Sequence, residues 1–222
     1  MAIPPTVLLV VAALVLAACS GGGGNRDEDV YPVHRDVTAT VFWVGEPPSE
    51  DNDEIANDES YWDADWEEHF GGFDDPDHRT PDGSRSAAFT PTENPFYFAL
   101  PYGELAYDDT VKPDVARVPW YRGQRISRDR SILKNRWIEV SLGPRTVYAQ
   151  WQDVGPFGED DPDYVFGDAP PAETRSGLDL SPAAAAALGL DGRGRVSWRF
   201  VPDERVPAGP WTEIETTRGG VR

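Results

Sequence analysis

At 222 residues the chain can hold one domain of ordinary size with a real core, and its 21 Gly and 21 Pro argue for short strands and turns against a helical bundle. Thirty-nine Asp and Glu against 20 Lys and Arg leave a net charge of −19. That balance argues against nucleic acid or an anionic membrane surface as partner and favours neutral glycans or cationic ligands.

Residues 3–18 form an apolar run too short for a membrane span, closing on Leu16, Ala17, Ala18 and Cys19 in the pattern of a lipobox. A cysteine at that place is diacylated after cleavage, and two chains anchor stably to a bilayer where one does not. The run has no Lys or Arg before it, a departure that keeps an ordinary signal peptide as the alternative. Cys19 is the only cysteine, so there is neither a disulfide framework nor a cysteine metal site. Ser20 stands where an Asp would signal retention in the inner membrane, so the expected place in a Gram-negative cell is the outer membrane, facing the periplasm. Residues 20–29 read as a Gly-rich tether and residues 30–222 as the folded domain.

Thr38–Gly45 reads as the first strand. The segment 46–86 is an acidic insertion, with fifteen Asp and Glu up to Asp82. Tyr61, Trp62, Trp66, Phe70 and Phe73 interrupt it at spacings that allow a short helix laid on the domain. Asp51, Asp53 and Asp58, with Asp63 and Asp65, invite calcium, but no EF-hand pattern is present. A solvated acidic face is expected, with no metal and no cofactor. His34, His69 and His78 are scattered and are expected at the surface. Ala87–Tyr102 reads as a loop leading into a strand, and Arg117, Arg122, Arg125, Arg128 and Arg130 as a basic cluster offsetting the insertion.

Ile132–Leu142 and Thr146–Trp151 are strands separated by Gly143 and Pro144. Asp153 then stands at a strand end before the Gly155–Pro156 turn. Asp179 ends a short apolar segment just before a well-marked helix: Ser181 as N-cap, Pro182 in the first helical position, an alanine run, and Gly189 for the left-handed end. Arg195–Val201 alternates cleanly and would close the sheet, and the Pro-rich tail past Pro202 is expected to wrap the surface.

The pair QDVGPF (Gln152–Phe157) and GLDLSPAAAAALGL (Gly177–Leu190) resembles the motif pair of the rare lipoprotein A (RlpA) family. The likeness extends through Lys134–Val147, Ala99–Gly103 and Thr38–Gly45, about half the chain in the expected order. It implies a mainly β fold, a six-stranded double-psi β-barrel with a short helix, here carrying the long acidic insertion. MltA-like lytic transglycosylases show a similar Asp-Val-Gly turn, and both they and family 45 endoglucanases carry an Asp at a position like Asp179. The implied partner is a cell-wall glycan such as peptidoglycan. Two departures stand out: Phe96, Tyr97 and Phe98 occupy the neighbourhood where RlpA-like chains usually carry a His, and Val154 replaces the Arg of their turn.

The candidate catalytic pair is Asp153 and Asp179. One protonated carboxyl could serve a glycosidic oxygen while an ionised one stabilises an oxocarbenium-like transition state. Structural alternatives stay open beside it: Asp153 accepting amides of its own turn, and Asp179 supporting the helix N-terminus. Trp62, Trp66 and Tyr97 are the candidate sugar-stacking rings, whereas Trp43 and Trp151 are expected in the core. Cutting a glycan and only binding one are both compatible with these residues.

Overall fold

The computed structural model describes Met1 and residues 31–221; the lipobox with Cys19 and the tether over 20–29 lie outside them. Six strands, β1 (His34–Val41), β2 (Tyr97–Leu100), β3 (Trp137–Leu142), β4 (Arg145–Val154), β5 (Leu178–Leu180) and β6 (Gly194–Val201), close into a barrel in the order β1-β5-β2-β4-β3-β6. The β1/β5 and β2/β4 pairs are parallel and the other four antiparallel. The mainly β barrel with few short helices is thus as expected. Its first strand starts earlier than expected and ends at Val41, because the chain turns where Glu46 N–H donates to Trp43 O and Gly45 takes a φ of 79°.

Alternation along the strands fills the interior. Val37 and Ala39 of β1, Ile138 and Val140 of β3, Val147, Ala149 and Trp151 of β4, and Val196, Trp198 and Phe200 of β6 are buried in one cluster. Trp151 stacks on Phe98 at 5.7 Å and tilts against Phe200 at the same distance, so large rings set the barrel's width. His34 belongs to this interior and not to the surface: its ring stacks on Trp198 at 4.0 Å, and burial holds its pKa down to about 4, so it is neutral near pH 7.

Helix α1 (Trp66–Phe70) is the helix foreseen in the insertion. Trp66 and Phe70 form a second buried cluster with Phe42, Val44, Tyr97 and Ala99, against the outer face of the barrel. The insertion is therefore not simply a solvated acidic face. Asp74 is buried and paired with Arg79, and Asp63 is buried between His69 (2.8 Å) and Lys134 (3.6 Å). Within the arginine cluster, Arg117 pairs with Asp163 and Arg128 with Asp109, both outside the insertion, while Arg128 also donates to the Tyr61 carbonyl inside it.

Helix α2 (Pro162–Val165) is capped by Asp161, and α3 (Pro182–Leu188) begins and ends as its caps require. Ser181 Oγ accepts Ala184 N–H, and Gly189 (φ 69°) returns its N–H to the last turn. The tail docks as well as wraps. Thr216 accepts Asn94 N–H and exchanges hydrogen bonds with Gln150, and Val221 N–H donates to Ser131 O.

Candidate functional site

Strand register builds one row of side chains across four strands. Thr40 of β1 pairs with Asp179 of β5, Asp179 pairs with Ala99 of β2, and Ala99 pairs with Asp153 of β4. The last pairing depends on a bulge: Phe98 faces Trp151 and Ala99 faces Asp153, so Gln152 is the extra residue. Without it, Asp153 would follow Trp151 by simple alternation and point into the core. The two carboxyl-bearing strands flank β2, which separates their Cα atoms by two strand spacings, about 9.5 Å. The methyl of Ala99 leaves the space between them open.

The row forms the floor of a cleft of about 530 Å³. Its wall is the start of the insertion, including Glu46, Asn57 and Tyr61, and its far rim is the Val154–Phe157 turn. Asp153 Oδ1 accepts the N–H of Tyr61 (2.7 Å) and of Val154 (2.8 Å). Burial nevertheless pushes its carboxyl up to about 7, opposed by those two amides and helped by the charge of Asp179. Asp179 is half-buried, and burial lifts it to about 6 against the bond from Thr40. Glu46, half-buried in the wall, is likewise raised to about 7, mainly by burial and partly by Asp179.

Thr40 has one hydroxyl proton and two oxygen neighbours, Asp179 Oδ1 and Ser176 Oγ at 2.8 Å. With Asp179 ionised, Thr40 donates to the carboxylate. With Asp179 protonated, the carboxyl donates to Thr40, Thr40 to Ser176, and Ser176 to the carbonyl of Thr38 (3.1 Å) or Leu178 (3.0 Å). Both protonation states are therefore satisfied by rotating hydroxyls, a useful property in a group that must gain and lose a proton.

The structure brings the candidate pair into one cleft and shows what each carboxyl touches. Asp153 does accept backbone amides, one from its own turn and one from the insertion. Ser181 caps α3 as expected, and the Asp179 carboxyl, two residues before that cap, bonds Thr40. The three candidate rings lie elsewhere: Trp62, Trp66 and Tyr97 are 6%, 1% and 0% exposed. Trp62 donates to Glu104, the Tyr97 hydroxyl donates to Asp74 and accepts Val44 N–H, and Trp66 sits edge-on to Tyr97. They are packing residues because the insertion's buried ion pairs let acidic sequence cover them. The rings that do line the cleft are Phe42, Tyr61 and Phe157, and none of them, nor Thr40 or Glu46, was among the candidate site residues. Arg128 is the basic residue on the lining, its guanidinium 5.5 Å over the Tyr61 ring.

A groove of about 560 Å³ beside His34, Pro170 and Pro171 is of similar size, but its buried titratable groups include no paired carboxyls. Among the described residues no cluster of three or more His, Cys, Asp or Glu is arranged to hold a metal ion.

The fold and site define a closed six-stranded barrel with acidic groups of raised pKa in an open cleft. No family model and no curated protein matches the chain. Among solved structures it is similar to Streptomyces papain inhibitor, with 17% identity over 77% of this chain and 96% of that one, at a TM-score of 0.34. A likeness of that degree carries no argument about activity.

Proposed function

We propose that this is an RlpA-like double-psi barrel lipoprotein of the cell envelope that acts on the glycan strands of peptidoglycan, in the manner of a lytic transglycosylase. The observation that carries the reading is the placement of Asp153 and Asp179 on either side of Ala99, on the floor of one open cleft. Two carboxyls with pKa values lifted into the range of neutral pH are what proton transfer to and from a glycosidic bond requires. The hydroxyl relay behind Asp179 supports it as the group that changes protonation, with Asp153 beside it. The motif pair around both residues supports the RlpA-like assignment, and the lipobox at Cys19 the envelope location.

Binding without cleavage is the second reading, favoured by one observation. Asp153 accepts two amides, and the one from Tyr61 ties the insertion to β4, which is a structural duty. The test is to incubate the protein with peptidoglycan, intact and stripped of stem peptides, and to analyse the soluble fragments by mass spectrometry. Anhydro-muramyl ends that vanish in Asp179→Asn establish cleavage. Co-sedimentation with the glycan and no fragments leaves the binding module, and neither result removes the glycan reading.

A further inference from the structure

We propose that Glu46 is a second working carboxyl of this cleft, placed in the wall to act across the ligand from Asp179. The inference rests on the reading of the cleft as a site of glycan cleavage.

Glu46 stands five residues beyond β1, at the base of the loop 46–57. That base is clamped by two backbone bonds, Gly45 N–H to Asn57 O (2.7 Å) and Asn57 N–H to Glu46 O (3.0 Å). The carboxyl itself is held by Asn57 Nδ2, 3.1 Å from Oε2, with the Trp43 backbone and the Asn52 side chain near enough to favour its charged form. Asn52 is oriented in turn, accepting Ser49 N–H at 2.7 Å and donating to Pro47 O at 3.0 Å. A glutamate on a loop is thereby given the fixed geometry of one on a strand.

Its treatment differs from that of the insertion's other enclosed acids. Asp74 is spent on Arg79, and Asp63 on His69 and Lys134. Glu46 has only neutral donors, and no Lys or Arg forms an ion pair with it among the described residues. A half-buried carboxyl in a cleft with another carboxyl, oriented by neutral donors and not neutralised, costs folding energy. That is the condition of a group kept for proton transfer. The charged groups sharing the cleft with it are Asp179, Asp153, Glu59 and Arg128, and Arg128 is engaged by Asp109.

The division of labour follows from the groups behind each carboxyl. Burial raises both carboxyls, Glu46 to about 7 and Asp179 to about 6, and Asp179, backed by the hydroxyls of Thr40 and Ser176, is the one placed to take up a proton with every partner satisfied. In the proposed step the glycosidic C1–O4 bond breaks with its electron pair on O4, which takes the proton of Glu46. The sugar's 6-hydroxyl oxygen bonds to C1, and its proton passes to the ionised Asp179. Both carboxyls then return to their starting states by exchange with solvent. Asp153, nine-tenths buried and already accepting two amides, stays beside Asp179 as the second carboxyl of the floor.

The experiment compares the full chain with Glu46→Gln and Glu46→Asp for fragment release from peptidoglycan between pH 4 and 8, with sedimentation on the glycan as the measure of binding. Glu46→Gln is expected to lower the rate about 100-fold or more while binding stays within about threefold, as for loss of a general acid. The upper limb of the pH profile, expected near pH 7 in the parent, should vanish in Glu46→Gln and persist in Glu46→Asp at a reduced rate. A parent that cleaves and a Glu46→Gln variant that keeps its rate and upper limb overturn the Glu46 assignment alone. A parent that releases no fragments overturns the assignment together with the cleavage reading. A lost rate with an unchanged limb in Glu46→Asp and a lowered melting temperature in both variants means that Glu46 only supports the loop, which also overturns it.

Discussion

The inside of the barrel and its outer face beneath the insertion are both cores, but they are built on different terms. The inner one is large, apolar and continuous, with Phe98, Trp151, Trp198 and Phe200 in mutual contact. The outer one has six buried apolar residues and borrows the rest of its cohesion from buried ion pairs and from the Tyr97 hydroxyl. Charge can therefore stand in for apolar area where a segment must be both acidic and fixed. The cleft lies at the seam: Ala99 of its floor belongs to the second core, and Tyr61 of its wall packs against the first.

The contrast can be broken most directly by deleting one ring from each side. Trp151→Ala should cost about 3–5 kcal/mol and, in a domain of marginal stability, remove the cooperative melt. Trp66→Ala should leave a recognisable barrel melt while opening residues 46–94 to proteolysis, since it empties only the outer cluster. Equal losses by calorimetry and proteolysis would show that the two cores fold as one unit.

pH sharpens the same comparison at a smaller scale. Asp153 is raised to about 7 in the fold, so between pH 4 and 7 the folded state binds a proton that the unfolded chain has released. Its contribution is complete below pH 4 and is lost as pH rises to 7, by at most about 4 kcal/mol. Asp63 runs the other way. Burial pushes it up, but His69 and Lys134 bring it below its ordinary value, so its contribution is present above pH 4 and lost in acid. Urea midpoints should fall from pH 5 to pH 8, and Asp153→Asn should flatten that slope. A midpoint that rises over this range would contradict the burial of the cleft carboxyls.

The smallest effect is expected at the exposed pair of Asp53 and Arg175, 3.0 Å apart. Asp53→Asn should leave the melting temperature unmoved, with or without calcium. A calcium-dependent rise in the parent would restore the metal site that the spacing of Asp51, Asp53 and Asp58 suggests.

What the sequence disclosed is what is local. The Gly143–Pro144 hairpin, the caps of α3 and the amphipathic spacing of Trp66 and Phe70 each specify their structure within a few residues. Asp153 and Asp179 were legible through their motifs, but their partnership was not, because it depends on register with a third strand and on a bulge at Gln152. Glu46 was not legible at all. Nothing in Gly-Glu-Pro-Pro marks a glutamate as half-buried, and its neighbour Asp179 is 133 residues away by the numbering. Trp62 and Trp66 were misplaced for the converse reason. Acidic neighbours suggested exposure, and the pairs that bury some of those acids are formed by residues as distant as Lys134.

The clamp between Gly45, Glu46 and Asn57 brings the two ends of the wall loop together while the barrel's register stays independent of it. Such a loop behaves as a cassette. Its ten intervening residues could be lengthened, shortened or rewritten at small entropic cost, without moving Thr40, Asp179 or Asp153, so divergence in what this barrel accepts could accumulate in that one stretch while the floor of the cleft is inherited unchanged.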